Sequence, residues 1–165
     1  MQSNKASSLV KSVGVDKLAC VETVSTLKLA NKLNNAVASY NDENDDKSTK
    51  QLGIYIQINT SGEDTKSGIE SEDELKELIQ SIISDCPLLK IRGLMTIGAP
   101  GDYSCFDTLV EFRKTAADIL GLDDENELEL SMGMSGDFEE AIKRGSTSVR
   151  VGSTIFGARD YSNKK

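Results

Sequence analysis

The sequence predicts an α/β fold built around a parallel sheet. Short apolar runs alternate with longer segments whose apolar residues recur at helical spacing, and about five such runs occur in the 165 residues. Because parallel neighbours need a crossover connection, this alternation indicates consecutive βαβ units. The chain is 38% hydrophobic, which suffices for a core, and 1–165 is interpreted as a single domain.

The first quarter of the chain predicts a helix, a strand and a second helix. Apolar residues at helical spacing indicate helices over 5–13 and from 25 to about 38, and 18–24 between them has the composition of a short strand. The next segment, 40–50, contains the run Asn-Asp-Glu-Asn-Asp-Asp. We expect it to be an exposed acidic loop.

The clearest strand and helix patterns follow that loop. The strand 52–59 alternates, and one of its sides is formed by Ile54, Ile56 and Ile58. Ser71 and Glu74 then have the spacing of a capping box, in which a hydroxyl and a carboxylate satisfy the first free N–H groups of a helix. That helix carries one continuous apolar stripe, which consists of Leu75, Leu78, Ile79, Ile82 and Ile83.

The remaining pattern completes the strand–helix alternation. Strands are predicted over 91–97, 127–132 and 149–156, and helices over 104–121 and 135–145. Two architectures fit such a chain, an open doubly wound sheet and a (β/α) barrel. About five strands cannot close a barrel of eight, which typically takes about 250 residues. The pattern alone therefore favours an open α/β sheet.

Charge and apolar content argue against several kinds of partner. The net charge is −8 and the basic residues are scattered, so we do not expect nucleic acid as a partner. No apolar run approaches the roughly 18 residues of a membrane span, so no membrane is expected. The isolated Cys20, Cys86 and Cys105 fit buried thiols in a reducing compartment better than a disulfide framework. We expect a cytoplasmic location, with a mitochondrial one kept open.

The chain contains no histidine. This excludes serine–histidine and cysteine–histidine catalysis and histidine-based zinc sites. The segment around Ser135 resembles a nucleophile elbow, but the second glycine comes one position early for that motif, and no imidazole base is present. We therefore nominate no catalytic residue and no metal ligand.

The candidate binding residues lie in the last third of the chain. Ser135 opens a predicted helix, so it fits two interpretations, a capping serine and a phosphate ligand. Arg150 lies inside an apolar strand, where a buried guanidinium needs an acidic side chain or a polar ligand. Gly152 and Ser153 end that strand with a flexible backbone and a hydroxyl group. In barrel enzymes a phosphate site is often made by the loops after the last two strands.

At these residues the chain resembles the pyridoxal phosphate homeostasis family, whose members are alanine-racemase-N-terminal-like proteins that bind pyridoxal 5'-phosphate (PLP). The resemblance covers nearly the whole chain. Its blocks occur in the family's order and spacing, at 2–5 (QSNK), 21–24 (VETV), 59–64 (NTSGED), 93–97 (GLMTI), 130–137 (LSMGMSGD) and 149–161 (VRVGSTIFGARDY).

The resemblance changes the predicted architecture and assigns roles to the candidate residues. It implies a partial (β/α) barrel of the TIM type, in which these strands are about the last five of eight. It also implies that the Ser135 hydroxyl, with the backbone at Gly152 and Ser153, holds the cofactor phosphate. Arg150 would face the pyridine nitrogen. An arginine there keeps that nitrogen unprotonated and makes the ring a poor electron sink, as suits a carrier.

The chain departs from the family at its beginning. Family members carry a Schiff-base lysine upstream of the segment that matches 2–5, so we expect this chain to be an incomplete PLP-binding barrel without that lysine. The missing strands would leave two unpaired sheet edges and an exposed apolar surface on Ile54, Ile56 and Ile58. We therefore expect a marginally stable chain that self-associates through its sheet edges. We also expect the missing segment, when added, to rescue its stability.

Three hypotheses for function remain. The first is a non-catalytic carrier that binds PLP and acts in intracellular vitamin B6 homeostasis. The second is a truncated, vestigial product that binds no ligand. The third is an enzyme related to the PLP-dependent racemases or decarboxylases, and the absence of a catalytic lysine and of histidine disfavours it.

Overall fold

The computed structural model describes residues 3–43, 50–63 and 65–157. Within these ranges the strands are β1 Cys20–Val24, β2 Leu52–Gln57, β3 Leu89–Met95, β4 Glu129–Met134 and β5 Ser148–Arg150. The α-helices there are α1 Ala6–Val13, α2 Leu27–Glu43, α3 Glu72–Asp85, α4 Ser104–Leu120, α5 Phe138–Lys143 and α6 Ser153–Phe156. Most of the predicted acidic loop, 44–49, and the end of the last family block, 158–161, lie outside the described residues.

The strands pair in chain order. They form one parallel sheet with the order β1-β2-β3-β4-β5. A doubly wound sheet reverses its strand order at a switch point, so the open architecture favoured by the pattern alone is wrong. Because crossovers between parallel strands are right-handed as a rule, this sequential order places the helices on one face and curves the sheet as in a barrel. The prediction of a partial (β/α) barrel is confirmed.

The two faces of the sheet have different compositions. Ile54, Ile56 and Ile58 are at most 1% exposed, because they pack in the core between sheet and helices. The expectation that they form an exposed apolar surface is therefore wrong. The opposite, concave face carries polar side chains that hydrogen-bond to one another, namely Glu22, Tyr55, Arg92, Glu129, Ser131 and Arg150. Aggregation was expected from an exposed apolar surface, and the polar side chains on this face remove that reason. Self-association through the edges of β1 and β5 stays a prediction.

The predicted loop 40–50 begins inside a helix. The helix α2 continues to Glu43 rather than ending near residue 38. Tertiary contacts hold its last turn, since the Tyr40 hydroxyl donates to Asp16 at 3.2 Å and Lys11 pairs with Glu43 at 2.9 Å. Such long-range contacts override the local preference of a polar segment for a loop.

The capping box of α3 is present. The Ser71 hydroxyl accepts the Glu74 backbone N–H at 3.2 Å, and the Glu74 carboxylate accepts the backbone N–H of Glu70 at 3.0 Å. Most of the predicted stripe is buried, but Ile83 is 58% exposed. The helix therefore begins where the pattern predicts, with an apolar face one residue narrower.

Replacing Ser71 with alanine removes this cap. We expect the free energy of unfolding to fall by about 1 kcal/mol, because the Glu74 N–H loses its acceptor. In a chain of this size that loss lowers the melting temperature by about 2–4 °C, which circular dichroism measures. Ser71→Asp keeps an acceptor and serves as the control. Equal melting temperatures for the alanine and aspartate variants would contradict the role of the cap.

Candidate functional site

A cleft of about 850 Å³ lies at the carboxyl ends of β4 and β5. Its lining includes all of the residues predicted to bind the cofactor, Ser135, Arg150, Gly152 and Ser153. Its volume is within the usual range for small-molecule sites. The carboxyl ends of the strands are also the end at which ligands bind in parallel α/β folds. The structure thus brings residues from β5, from α6 and from the loops that follow β4 and β5 around a single space.

Ser135 does not cap the helix that follows it. The helix α5 begins at Phe138, and the Asp137 carboxylate accepts the Met134 backbone N–H at 2.6 Å across the intervening turn. The capping interpretation of Ser135 is therefore wrong. Its hydroxyl oxygen instead accepts the backbone N–H groups of Gly152 at 3.0 Å and Thr154 at 3.4 Å. These contacts place the hydroxyl at the wall of the cleft.

The chain leaves the sheet earlier than predicted. The strand β5 ends at Arg150, and the segment predicted to continue as a strand to residue 156 forms the single turn α6. The Gly152 carbonyl accepts the N–H groups of Ile155 and Phe156 at 3.0 and 2.9 Å, which closes that turn. The turn leaves the Gly152 and Thr154 N–H groups directed at the Ser135 oxygen. Two backbone donors therefore converge on one point of the cleft.

Arg150 is held from two sides. Its Nη1 donates to the Ser131 hydroxyl at 2.7 Å, and its Nη2 donates to the Thr96 carbonyl at 2.6 Å. Burial lowers the pKa of the guanidinium, while the carboxylates of Glu22 and Asp137 act in the opposite direction. An arginine side chain nevertheless stays protonated inside proteins, so Arg150 remains a cation. The cleft therefore has one partly buried positive group whose position is set by neutral acceptors.

Sequence reasoning missed the partners of Arg150. The Ser131 hydroxyl, which is fully buried, also donates to the Glu22 carboxylate at 2.6 Å. Glu22 lies on β1, at the other end of the sheet. A signal existed, since Glu22 and Ser131 are polar residues inside short apolar strands. The pattern alone did not indicate that the strands carrying them face each other across the concave side.

A second cleft, of about 670 Å³, lies at the amino ends of the strands and does not share these features. It is lined in part by Arg92 and Glu129, which pair with each other at 2.5 Å. Glu129 also accepts the Tyr55 hydroxyl, and burial together with this bond raises the pKa of Tyr55. The charges of Arg92 and Glu129 are thus paired with each other. The amino end of a barrel is generally the end that provides stability.

The described parts of the chain lack three features that would point to other functions or to another binding mode. No group of three or more cysteine, aspartate or glutamate side chains there is placed to hold a metal ion. None of the described helices combines the length and the apolar content needed to cross a membrane. The described lining of the cleft at the carboxyl ends contains no lysine.

A family model described as the alanine racemase N-terminal domain matches residues 11–160. The chain belongs to this family. Among curated relatives, it is 42% identical to the pyridoxal phosphate homeostasis protein of Mus musculus over 160 residues, which are 93% of this chain and 56% of that protein. It is likewise 42% identical to the protein of that name from Caenorhabditis elegans over 170 residues, 99% of this chain and 66% of that protein.

A solved structure with the alanine racemase N-terminal fold extends the comparison. PipY of Synechococcus elongatus PCC7942, determined with PLP bound, superposes with a TM-score of 0.69 at 25% identity. The alignment covers 95% of this chain and 67% of PipY. This chain therefore spans between roughly half and two thirds of the length of these relatives, which agrees with a partial barrel of five strands.

Proposed function

We propose that this chain binds pyridoxal 5'-phosphate and acts as a non-catalytic carrier in the homeostasis of that cofactor. The observation that carries the proposal is the convergence of the Ser135 hydroxyl and two backbone N–H groups beside Arg150, in a cleft of suitable volume. Relatives named for PLP homeostasis and a PLP-bound neighbour of the same fold support it. A cytoplasmic location is part of the proposal, supported by the three free cysteines.

The phosphate group would lie against Ser135, Gly152 and Ser153. In the structure, the Ser135 oxygen accepts the N–H groups of Gly152 and Thr154. A phosphate oxygen is a stronger acceptor than a hydroxyl, so it would take these donors, and the Ser135 hydroxyl would become a further donor to it. The space is available, since a β-carbon added at Gly152 would meet no atom within 4 Å. The donors present thus fit a phosphate monoester.

The pyridine ring would lie toward Arg150. Bound PLP supplies an aldehyde and a ring that withdraws electrons from an attached amine. This withdrawal is strong only when the ring nitrogen is protonated. A guanidinium can donate a hydrogen bond and cannot accept one. Arg150 would therefore keep the ring nitrogen unprotonated and leave the cofactor a weak electron sink. This property supports binding and transfer of the cofactor rather than catalysis on it.

We also propose that binding by this chain is non-covalent. The described lining of the cleft offers hydroxyl, guanidinium and backbone N–H groups, and no lysine amine. Phosphate contacts and the arginine would then supply the affinity. The covalent anchor that the family resemblance implies is not among the described residues that line this cleft.

A PLP absorbance titration tests the proposal. We expect saturable binding by the wild type, and weakening by about 10-fold in both Ser135→Ala and Arg150→Ala, because each removes a charge-assisted hydrogen bond. Ser84→Ala removes an exposed hydroxyl on α3 and is the matched control. Borohydride reduction followed by peptide mapping should label no single lysine.

Two outcomes of this titration would contradict the proposal. If PLP bound but neither substitution changed the affinity, the cleft would not be the site. If folded wild-type protein did not bind PLP at all, the chain would be the vestigial product without a ligand. Selective trapping of one lysine would contradict only the non-covalent mode.

A further inference from the structure

We propose that Glu22 and Ser131 are positioning residues that hold the Arg150 guanidinium in its orientation toward the cleft. The inference rests on the proposed function, because it concerns the residue that would meet the pyridine ring. Neither residue lines the cleft itself. Their contribution to binding would therefore pass entirely through Arg150.

The contacts form a chain across the concave face of the sheet. Glu22 accepts the Ser131 hydroxyl at 2.6 Å, and Ser131 accepts Nη1 of Arg150 at 2.7 Å. The three residues come from β1, β4 and β5, so the chain of contacts spans the sheet from one outer strand to the other. Ser131 is fully buried. Water does not compete for its hydroxyl, and the two hydrogen bonds keep their full strength.

The direction of each hydrogen bond follows from the groups involved. An ionised carboxylate can only accept, so the single proton of the Ser131 hydroxyl is directed at Glu22. A guanidinium can only donate, so the lone pair of the same hydroxyl receives Arg150. Glu22 thus determines which way the hydroxyl points. Without that carboxylate the hydroxyl is free to rotate away from the arginine.

A second support holds the other terminal nitrogen of Arg150. The Thr96 carbonyl accepts Nη2, and Thr96 is itself fully buried, with its hydroxyl 2.8 Å from that of Thr60. Two fixed acceptors on two nitrogens set the plane of the guanidinium. The Thr96 acceptor is a backbone carbonyl and survives any substitution. Side-chain variants of Glu22 and Ser131 therefore release one of the two supports and leave the other.

The negative charge of Glu22 supports the same positioning of Arg150 as the hydrogen bonds do. Arg150 is partly buried, and an unpaired cation in such a place is costly. The carboxylates of Glu22 and Asp137 are the acidic groups that favour its charged form. Asp137 lies on the loop side and is engaged with the Met134 N–H. Glu22 is thus the carboxylate that acts on the side of the arginine facing away from the cleft.

A double-mutant cycle with PLP titration tests this inference. We expect Glu22→Gln and Ser131→Ala each to weaken PLP binding by about 5-fold in the wild-type background, and to have no further effect in an Arg150→Ala background. In a Ser135→Ala background the same substitutions should still weaken binding by the full factor. The absorbance maximum of bound PLP should shift in Glu22→Gln in the same direction as in Arg150→Ala, because both alter the group beside the ring.

Glu129→Gln is the matched control. Glu129 is another carboxylate of the concave face, but it pairs with Arg92 and does not contact Arg150. We expect its substitution to leave the affinity for PLP unchanged. If Ser131→Ala does not fold, Glu22→Gln carries the test, since Glu22 is on an outer strand and only partly buried.

The outcomes separate this inference from the proposed function. If Ser135→Ala and Arg150→Ala weaken binding but Glu22→Gln and Ser131→Ala do not, the positioning role is overturned and the proposed function stands. Effects of Glu22→Gln that multiply with those of Arg150→Ala would also overturn it, because they would indicate a general structural role. Loss of PLP binding in folded wild-type protein would overturn both.

Discussion

Replacing Gly93 with alanine is expected to destabilise the protein by about 3 kcal/mol, the upper end of typical overpacking costs. Gly93 lies on β3 opposite Glu129 of β4. A β-carbon on Gly93 would overlap the Glu129 carbonyl oxygen and lie 2.7 and 2.9 Å from the carbonyl carbon and nitrogen of that residue. Because all of these atoms belong to the backbone, the two strands have to separate. Urea denaturation with linear extrapolation measures the loss.

Alanine substitutions at two other glycines serve as controls for this prediction. At Gly53 a β-carbon would meet Cδ of the Arg92 side chain at 2.5 Å and the Ala19 carbonyl oxygen at 3.0 Å. The closer contact is with a flexible side chain that can move away, so alanine there should cost about 1–2 kcal/mol. At Gly136 it would meet no atom within 4 Å, and alanine should change stability by less than about 0.5 kcal/mol. If Gly93→Ala were no more destabilising than Gly53→Ala, the close approach of β3 and β4 would be contradicted.

Directly before Gly93 the sheet has an irregularity that periodicity did not predict. The pairing of β2 with β3 shifts by one residue between Ile54 and Tyr55, so that Arg92 is the extra residue on β3. Such a bulge bends a strand and redirects a side chain. Arg92 is thereby directed to Glu129 on the concave face. The alternation rule assumes an unbroken pleat, so it cannot locate an extra residue.

Local patterns were sufficient for elements whose ends are determined locally. The helix α4 begins at Ser104 and stops at Gly121, as predicted, because Gly121 adopts the left-handed conformation with φ of 67°. The order of the strands is a different kind of property. It depends on pairing between segments far apart in the chain, and the same βα units fit an open sheet and a barrel equally well. The family resemblance, rather than periodicity, selected the barrel.

The site also combines residues that the local sequence pattern identified with long-range partners that it did not. The pattern identified Ser135 and Arg150 as special, because one follows a strand and the other places a charge inside an apolar run. Their partners were not predictable, since Ser135 accepts an N–H from a residue 17 positions away, and Ser131 and Glu22 are 109 positions apart. Polar contacts of this range are created by the fold. Sequence reasoning therefore located the candidate binding residues and missed the residues that contact them.

Gly133 affects both the stability of the sheet and the geometry of the site. It lies in β4, two residues before Ser135, and has a φ of +94°. A β-carbon there would come within 2.6 Å of Cβ of Ala141 and 3.0 Å of Cα of Phe138, both on α5. The glycine thus allows α5 to pack directly on the strand. That packing sets the turn from which Ser135 reaches the Gly152 and Thr154 N–H groups.

We therefore expect Gly133→Ala to destabilise the protein by about 3 kcal/mol, from the sum of a left-handed backbone penalty and overpacking against α5. At temperatures where the variant is still folded, PLP binding should also weaken by at least about 10-fold, since displacement of α5 moves the Ser135 hydroxyl from its donors. Urea denaturation and PLP titration of the same samples measure the two effects.

Gly121→Ala is the control that separates the two contributions. Gly121 has a positive φ of 67°, but a β-carbon there would meet no atom within 4 Å. Alanine at this position should cost only about 1 kcal/mol, the left-handed penalty alone, and should leave PLP binding unchanged. The excess cost at Gly133 then measures the packing of α5 on β4. If the two variants lost equal stability, or if Gly133→Ala bound PLP as the wild type does, the positioning of Ser135 would not depend on that packing.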